Sequence, residues 1–212
     1  MFKHLLLSLA LVFAAPLFAA DGGKSFSAGE HYDLITPAIR TANPDKIEVT
    51  EFFWYGCGHC YNFEPVISQW KKSLADDVEF KGSPAVWAAQ MELHSKAFYT
   101  AEVLGVSETM HLALFQAMNV DKKRLASEAE IASLFVANGV AEADFVKAFN
   151  SFGVGSMVRQ ATSRAKAAKI TGTPEIMVNG KYRVTTRRAG SQAKMLEIAN
   201  FLIEKERAAK GG

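Results

Sequence analysis

The alternation of apolar and polar positions predicts a strand followed by a helix at the start of the folded chain. Ile47 to Tyr55 is a strand-like run. The next segment repeats apolar residues at helical spacing, namely Phe63, Val66, Ile67, Trp70 and Leu74. Pro65 lies inside that register, so we expect it to remove one helical hydrogen bond and kink the helix without ending it.

Helical periodicity dominates the middle of the chain. A short alternating strand at Val78–Phe80 comes first, and we expect it to end before Ser83-Pro84. The predicted helices are Met91–Leu104, one capped by Ser107, one opened by the capping box Ser127–Glu130, then Phe145–Phe149 and Met157–Lys169.

The last part of the chain predicts a hairpin and a final helix. Gly172-Thr173-Pro174 interrupts the helical pattern, and strands follow at Ile176–Val178 and Tyr182–Val184. Asn179-Gly180 joins these strands, and this pair favours a type I′ turn. A helix then begins at Ser191. The chain therefore belongs by pattern to the α/β class.

The first twenty residues predict a secretory signal peptide, residues 1–20. Met1 to His4 is a short basic start, an apolar run extends from Leu5 to Ala15, and Ala19-Ala20 offers small residues for cleavage. The apolar run is shorter than the about 20 residues that a membrane-spanning helix needs, although an uncleaved anchor is the alternative. Export would place the protein in an oxidising compartment, where disulfides persist.

Composition limits the classes of partner. The chain is 49% apolar and contains 15 Phe, which is ample for a hydrophobic core. Its formal charge is only +2, with acids and bases interspersed, so we expect no nucleic-acid partner.

Both cysteines of the chain, Cys57 and Cys60, lie two residues apart between the strand and the helix. A zinc site needs about four donors, and no second Cys pair or closely spaced His pair completes one. A disulfide across so short a loop stabilises little, so redox chemistry is the favoured interpretation. The helix N-terminus favours a thiolate at Cys57, and a protonated His59 would add positive charge. We expect Cys57 to be the nucleophile and Cys60 the resolving thiol.

Glu51 shares one side of the predicted strand with Ile47, Val49 and Phe53. This placement suggests a buried acid, which would exchange protons with a neighbouring thiol as the disulfide opens or closes. The alternative is that the strand is buried on both faces, as in a parallel sheet, and that Glu51 simply pairs with a lysine.

The chain resembles the DsbA family of the thioredoxin superfamily. The resemblance rests on Cys-Gly-His-Cys after an aromatic strand, on Pro65, on Thr173-Pro174 before an Ile-Met-Val strand, and on Tyr61–Glu64. It implies a thioredoxin fold interrupted by a helical insertion domain, with thioredoxin-like parts at residues 21–84 and 153–212 and the insertion at 85–152. It also implies a cis peptide bond before Pro174, facing the cysteine pair.

The same resemblance implies an activity and its partners. Members of this family are periplasmic thiol:disulfide oxidoreductases that donate a disulfide to unfolded or partly folded exported proteins, and an apolar groove binds the unfolded peptide. The implied reoxidant is a membrane protein of the DsbB kind. No cofactor or metal is implied, and we expect a monomer. Thr173 and Pro174 would bind substrate beside Cys57.

Two positions depart from the best-known members of the family. Gly58-His59 stands where those proteins carry Pro-His, and Thr173 stands where they carry Val. Both departures resemble disulfide isomerases, so an isomerase or reductase is the alternative function. An exported holdase chaperone and a metal carrier using both cysteines and His59 are the remaining alternatives.

Overall fold

The predicted first strand is the centre of a five-stranded sheet. In this computed structural model, which describes residues 25–211, β2 spans Ile47–Phe53 and all seven of its residues are buried. It pairs in parallel with β3 (Val78–Pro84) and antiparallel with β4 (Glu175–Val178). The strand is therefore buried on both faces, which is one part of the alternative stated for Glu51.

The rest of the sheet is a hairpin and a short edge strand. β4 pairs antiparallel with β5 (Tyr182–Thr185), which pairs with β1 (Asp33–Leu34), so the strand order is β1-β5-β4-β2-β3. Asn179 and Gly180 have φ values of 51° and 65°, as a type I′ turn requires. The prediction for β3 was wrong at its end, because the strand continues through Ser83-Pro84 while it pairs with β2.

Eight helices are assigned in residues 25–211. The first begins within the cysteine motif, and the seventh directly follows the hairpin. The eight helices are α1 (Gly58–Lys71), α2 (Ala89–Val103), α3 (Ser107–Asn119), α4 (Glu128–Ala137), α5 (Glu142–Phe149), α6 (Phe152–Ala167), α7 (Thr186–Ala189) and α8 (Gln192–Gly211). Pro65 lies inside α1, which continues beyond it to Lys71. None of these helices is long and apolar enough to cross a membrane.

Some helix ends follow the local sequence and others do not: α6, predicted from Met157, begins at Phe152. The Ser127 hydroxyl accepts a hydrogen bond from the Glu130 N–H at 3.2 Å, as the capping box predicts. The Glu130 carboxylate accepts from the Ala126 N–H at 3.0 Å instead of from Ser127. The predicted cap at Ser107 was wrong: Val106 is the N-cap and Ser107 is already helical.

Separate hydrophobic clusters cover the two faces of the sheet and fill the helical segment. One face packs on α1 and α8, and the other packs on α6 through Phe52 and Met177. The cluster of α2–α5 continues through Phe53 and Tyr55 to Cys60, so the helical segment shares its core with the cysteine motif. Since α6 contacts both α2 and β3, the insertion boundary at residue 152 stays a prediction. The predicted signal peptide lies outside the described residues.

Replacing Ser127 with Ala should lower the free energy of unfolding by about 1 kcal/mol, because the Glu130 N–H loses its acceptor. Ser133→Ala is the matched control in the same helix. Ser133 is exposed and bonds only back to the Ala129 carbonyl, so its replacement should change stability by less than roughly 0.5 kcal/mol. Denaturant unfolding measures both, and equal effects would contradict the assigned cap.

Candidate active site

The two cysteines occupy different environments at the start of α1. Cys57 is the N-cap and is partly exposed, whereas Cys60 lies in the first turn and is fully buried. Both are free thiols in this structure. The Cys57 sulfur accepts a hydrogen bond from the Cys60 backbone N–H at 3.3 Å. The reachable sulfur is thus the one held at the helix N-terminus, where unpaired N–H groups favour negative charge.

The environment of Cys57 lowers its pKa from 9.0 to about 5. The largest cause is a hydrogen bond from the Cys60 thiol. Burial opposes the shift, while the Thr173 side chain and the backbone N–H groups of Cys60 and His59 add to it. Most of the stabilising groups therefore belong to the motif and to the first turn of α1.

Burial has the opposite effect on the second thiol. It is the largest cause that raises the pKa of Cys60, and the neighbouring Cys57 raises it further. The pair therefore ionises at Cys57 first, and Cys60 holds its proton at neutral pH. This is the order expected from the sequence for a nucleophile and a resolving thiol.

His59 acts on the site through its backbone. Its ring is exposed, and the contribution to the lowered pKa of Cys57 comes from its N–H. Its carbonyl accepts a hydrogen bond from the Gln192 amide at 2.6 Å, which ties the motif to α8. The expected effect of a protonated imidazole on Cys57 stays a prediction, and Gln192 is a contact that the sequence did not indicate.

The Thr173–Pro174 segment faces Cys57, and its peptide bond is cis. The Cys57 thiol donates to the Thr173 carbonyl at 3.4 Å. The resemblance led us to expect Thr173 beside Cys57, and the contact in the structure is made by its backbone carbonyl. The residues just before the hairpin thus lie against the motif, although Thr173 is 116 positions from Cys57 along the chain.

Glu51 is a buried acid behind the motif. Its side chain is 3% exposed, and its Oε1 atom has no hydrogen-bond partner among the described residues. The pKa of Glu51 is raised from 4.5 to about 8. Burial is the largest cause, the charges of Glu64 and Cys57 act in the same direction, and Lys71 opposes the shift. No lysine within residues 25–211 forms an ion pair with it, so the structure does not support the simple pairing alternative.

A cavity of about 680 Å³ lies against Glu51. Its walls come from β2, β3 and the first three helices, and they include Glu64 and His111. His111 Nδ1 lies 3.0 Å from the Tyr55 hydroxyl, and Nε2 lies 3.0 Å from the Glu64 carboxylate. The helical segment therefore contacts both the end of β2 and α1 beside the motif.

A second histidine of the helical segment holds the turn before the cysteines. The Trp54 indole N–H donates to His94 Nδ1 at 2.9 Å, and His94 Nε2 lies 3.1 Å from the Leu125 carbonyl. A Cβ at Gly56 would come within 2.4 Å of the Trp54 ring, so the turn requires glycine there. Sequence spacing gave no signal for either histidine, since each contact joins residues 31 or more positions apart.

Within residues 25–211, no group of three or more His, Cys, Asp and Glu side chains is placed to hold a metal ion. The groups that the structure places at or behind the motif include its two thiols, the Thr173 carbonyl and the buried acid Glu51.

Comparison with known proteins agrees with this chemistry. A family model described as a DSBA-like thioredoxin domain matches residues 75–196. Thiol:disulfide interchange protein DsbA of Pseudomonas syringae pv. tomato is 41% identical over 98% of this chain and 97% of its own length. The protein of the same name from Pseudomonas aeruginosa is 38% identical over 98% of both chains.

Solved structures give the same result. The crystal structure of Pseudomonas aeruginosa DsbA matches with a TM-score of 0.85 at 39% identity, covering 88% of this chain and 97% of that one. The oxidoreductase DsbA from Xylella fastidiosa matches with a TM-score of 0.80 at 33% identity, covering 86% and 98%. The fold is thus the thioredoxin-like fold with helices of that family. By its cysteine motif, its fold and its full-length relatives, the chain belongs to the DsbA family of thiol:disulfide oxidoreductases.

Proposed function

We propose that this chain is a periplasmic oxidant of protein thiols, which donates a Cys57–Cys60 disulfide to exported proteins during oxidative folding. The observation that carries the proposal is the unequal ionisation of the two thiols: the pKa of Cys57 is lowered to about 5, while burial raises that of Cys60. A stabilised thiolate favours the reduced form, which makes the disulfide a stronger oxidant. In general, each pKa unit corresponds to about 1.4 kcal/mol, or about 30 mV for a two-electron couple.

The proposed reaction begins when a substrate thiolate attacks the Cys57 sulfur of the disulfide. A mixed disulfide forms, and Cys60 leaves as a thiolate. It takes up a proton, and we assign Glu51 as the donor of that proton. A second substrate thiolate then attacks the substrate sulfur of the mixed disulfide, and Cys57 leaves as a thiolate. The substrate is oxidised to a disulfide and the enzyme pair is reduced by two electrons.

The segment before β4 would bind the substrate. The Thr173 carbonyl lies 3.4 Å from the Cys57 sulfur, and Pro174 has no N–H of its own to occupy neighbouring acceptors. An extended peptide could pair with the backbone of Thr173 while its cysteine meets Cys57. This mode of binding uses the peptide main chain, which suits a range of unfolded exported proteins.

Location and reoxidation complete the proposal. The predicted signal peptide and the family both favour the periplasm, where disulfides persist. A membrane protein of the DsbB kind would reoxidise the reduced pair, and the protein would act as a monomer without a cofactor. The support for these partners is the relationship to the DsbA proteins.

An isomerase is the second candidate, and it is favoured by Gly58-His59 and by Thr173 beside Cys57. An isomerase must attack existing disulfides in its reduced form and release them again. Recovery of a scrambled disulfide protein, compared with oxidation of the same protein reduced and unfolded, separates the two functions.

Cys57→Ser should abolish disulfide transfer to a reduced unfolded protein, since it removes the attacked sulfur. Cys60→Ala should instead accumulate a mixed disulfide at Cys57 when it meets a protein disulfide or oxidised glutathione, since no Cys60 thiolate is present to attack the Cys57 sulfur and release the partner. Non-reducing electrophoresis and mass spectrometry measure the adducts. Equal residual transfer by both variants, or adducts on Cys60, would contradict the assignment.

Glu51→Gln should slow the oxidation of the reduced protein by oxidised glutathione by about 10²-fold, since the base that takes the Cys60 proton is lost. The pKa of Glu51 is raised to about 8, so its carboxylate forms as the pH rises through that value. The native rate should therefore increase with pH around 8, and the Gln variant should lack this increase. Stopped-flow rates across the pH range measure it.

Glu48→Gln is the matched control for that experiment. Glu48 is a buried acid of the same strand, but it pairs with Lys81 and Arg164 and lies away from the cavity beside Glu51. Its replacement should reduce stability and leave the pH profile unchanged. A native pH profile for Glu51→Gln would remove Glu51 from the mechanism.

A further inference from the structure

His111 connects three elements through one chain of hydrogen bonds. From α3, its ring joins the Tyr55 hydroxyl at the end of β2 to the Glu64 carboxylate on α1, with both contacts at 3.0 Å. The Ser68 hydroxyl donates to the other Glu64 oxygen at 3.2 Å. The His111 ring also packs edge-on against Phe53 and Phe115, with centroids 5.3 and 5.0 Å apart. The imidazole therefore has little freedom to turn away from Glu64.

This arrangement keeps Glu64 ionised in a place that disfavours its charge. A carboxylate only accepts hydrogen bonds, so Nε2–H of His111 is the donor to Glu64. Burial alone would raise the pKa of Glu64, but the hydrogen bond and charge of His111, with Lys71 and Ser68, hold it below its usual value. Removing His111 would leave a buried acid with weaker support for its negative charge.

The cavity connects this charge to Glu51. Glu51 is almost fully buried, yet it lines the same 680 Å³ space as Glu64 and His111, and exposed residues such as Lys72 and Leu112 line it too. The space therefore extends from the surface to Glu51, whose Oε1 atom has no hydrogen-bond partner among the described residues. The other charged or titratable side chains that line it are Lys71 and Lys72 of α1, Glu102 of α2 and Glu108 of α3.

We propose that His111 is a positioning residue for the redox reaction: it fixes the Glu64 carboxylate on the wall of the cavity through which Glu51 exchanges protons with solvent. The inference rests on the proposed role of Glu51. With this role for His111, the helical segment takes part in proton transfer as well as forming a hydrophobic core.

The proton balance follows from the reoxidation step. The Cys57 thiolate attacks a disulfide oxidant and forms a mixed disulfide, releasing one thiolate of the oxidant. The Cys60 thiol passes its proton to the Glu51 carboxylate, and the Cys60 thiolate attacks the Cys57 sulfur and releases the second thiolate. Glu51 then loses that proton to water through the cavity. Burial raises the pKa of Glu51 most, and the negative charge of Glu64 raises it further, so Glu64 shifts the pH at which Glu51 accepts the proton.

The test compares His111→Leu with His111→Gln. Leu removes the hydrogen bond, so the Glu64 carboxylate is no longer fixed on the cavity wall, its protonated form is favoured, and its charge acts less on Glu51. The midpoint of the rate increase with pH, measured with oxidised glutathione, should fall by about 1 pH unit in the Leu variant. Gln can still donate to Glu64 and should keep a midpoint closer to the native one. His31→Leu, at a half-buried ring outside the cavity, is the control and should match the native protein.

Glu64→Gln removes the charge directly and should lower the midpoint in the same direction. The double variant of His111→Leu and Glu64→Gln should add nothing to Glu64→Gln alone, since both act through one charge. If His111→Leu does not fold, the midpoints of Glu64→Gln and His111→Gln are compared with the native midpoint instead. A native midpoint in Glu64→Gln overturns the proposal.

Glu51→Gln separates this inference from the one it rests on. If Glu51→Gln loses the rate increase but His111→Leu keeps the native midpoint, the role of His111 is wrong and that of Glu51 stands. If Glu51→Gln keeps the rate increase, Glu51 is not the proton acceptor and the role of His111 falls with it. A lower midpoint in His111→Leu that Gln restores supports the proposal.

Discussion

The hydrogen bonds that converge on the Cys57 sulfur are the interaction on which the rest of the structure depends. The sulfur accepts from the Cys60 N–H because Cys57 is the N-cap of α1, and it is the N-cap because β2 ends one short turn earlier. That turn is held by Trp54 against His94 and by Asn119, which donates to the Tyr55 carbonyl at 2.8 Å. The sheet and the helical segment thus combine to place one sulfur at a helix N-terminus.

The helical segment contributes to the chemistry of the site as well as to the hydrophobic core. Its hydrophobic cluster includes Tyr55 and Cys60, so burial of the second thiol comes from contacts with α2–α5 as well as from α1. That burial raises the pKa of Cys60, while hydrogen bonds lower the pKa of Cys57. The difference in pKa between the two thiols follows from both effects. His111 reaches from the same segment to Glu64. The chemistry of the pair therefore depends on side chains that are far from the motif in sequence.

Local signals explain what could be predicted from the sequence. The strand and helix around the motif, the Asn179-Gly180 turn and the Ser127 cap each depend on a few adjacent residues, and all three are present in the structure. The sequence did not predict β1, because a strand of two residues shows no periodicity. The predicted β3 was too short, because pairing with β2 continues through Ser83-Pro84, where the proline was expected to end the strand. The contacts of His111 and Gln192 could not be predicted, since only the tertiary fold brings them to the site.

The most direct test of this account is a titration of the thiolate absorbance of the reduced protein, with Cys60→Ala to assign the signal to Cys57. Because the Cys60 thiol is the largest cause of the lowered pKa, the account predicts a midpoint near pH 5 in the native protein and a higher one in Cys60→Ala. A native midpoint near the ordinary value of 9.0 would contradict it, as would two thiols that titrate together.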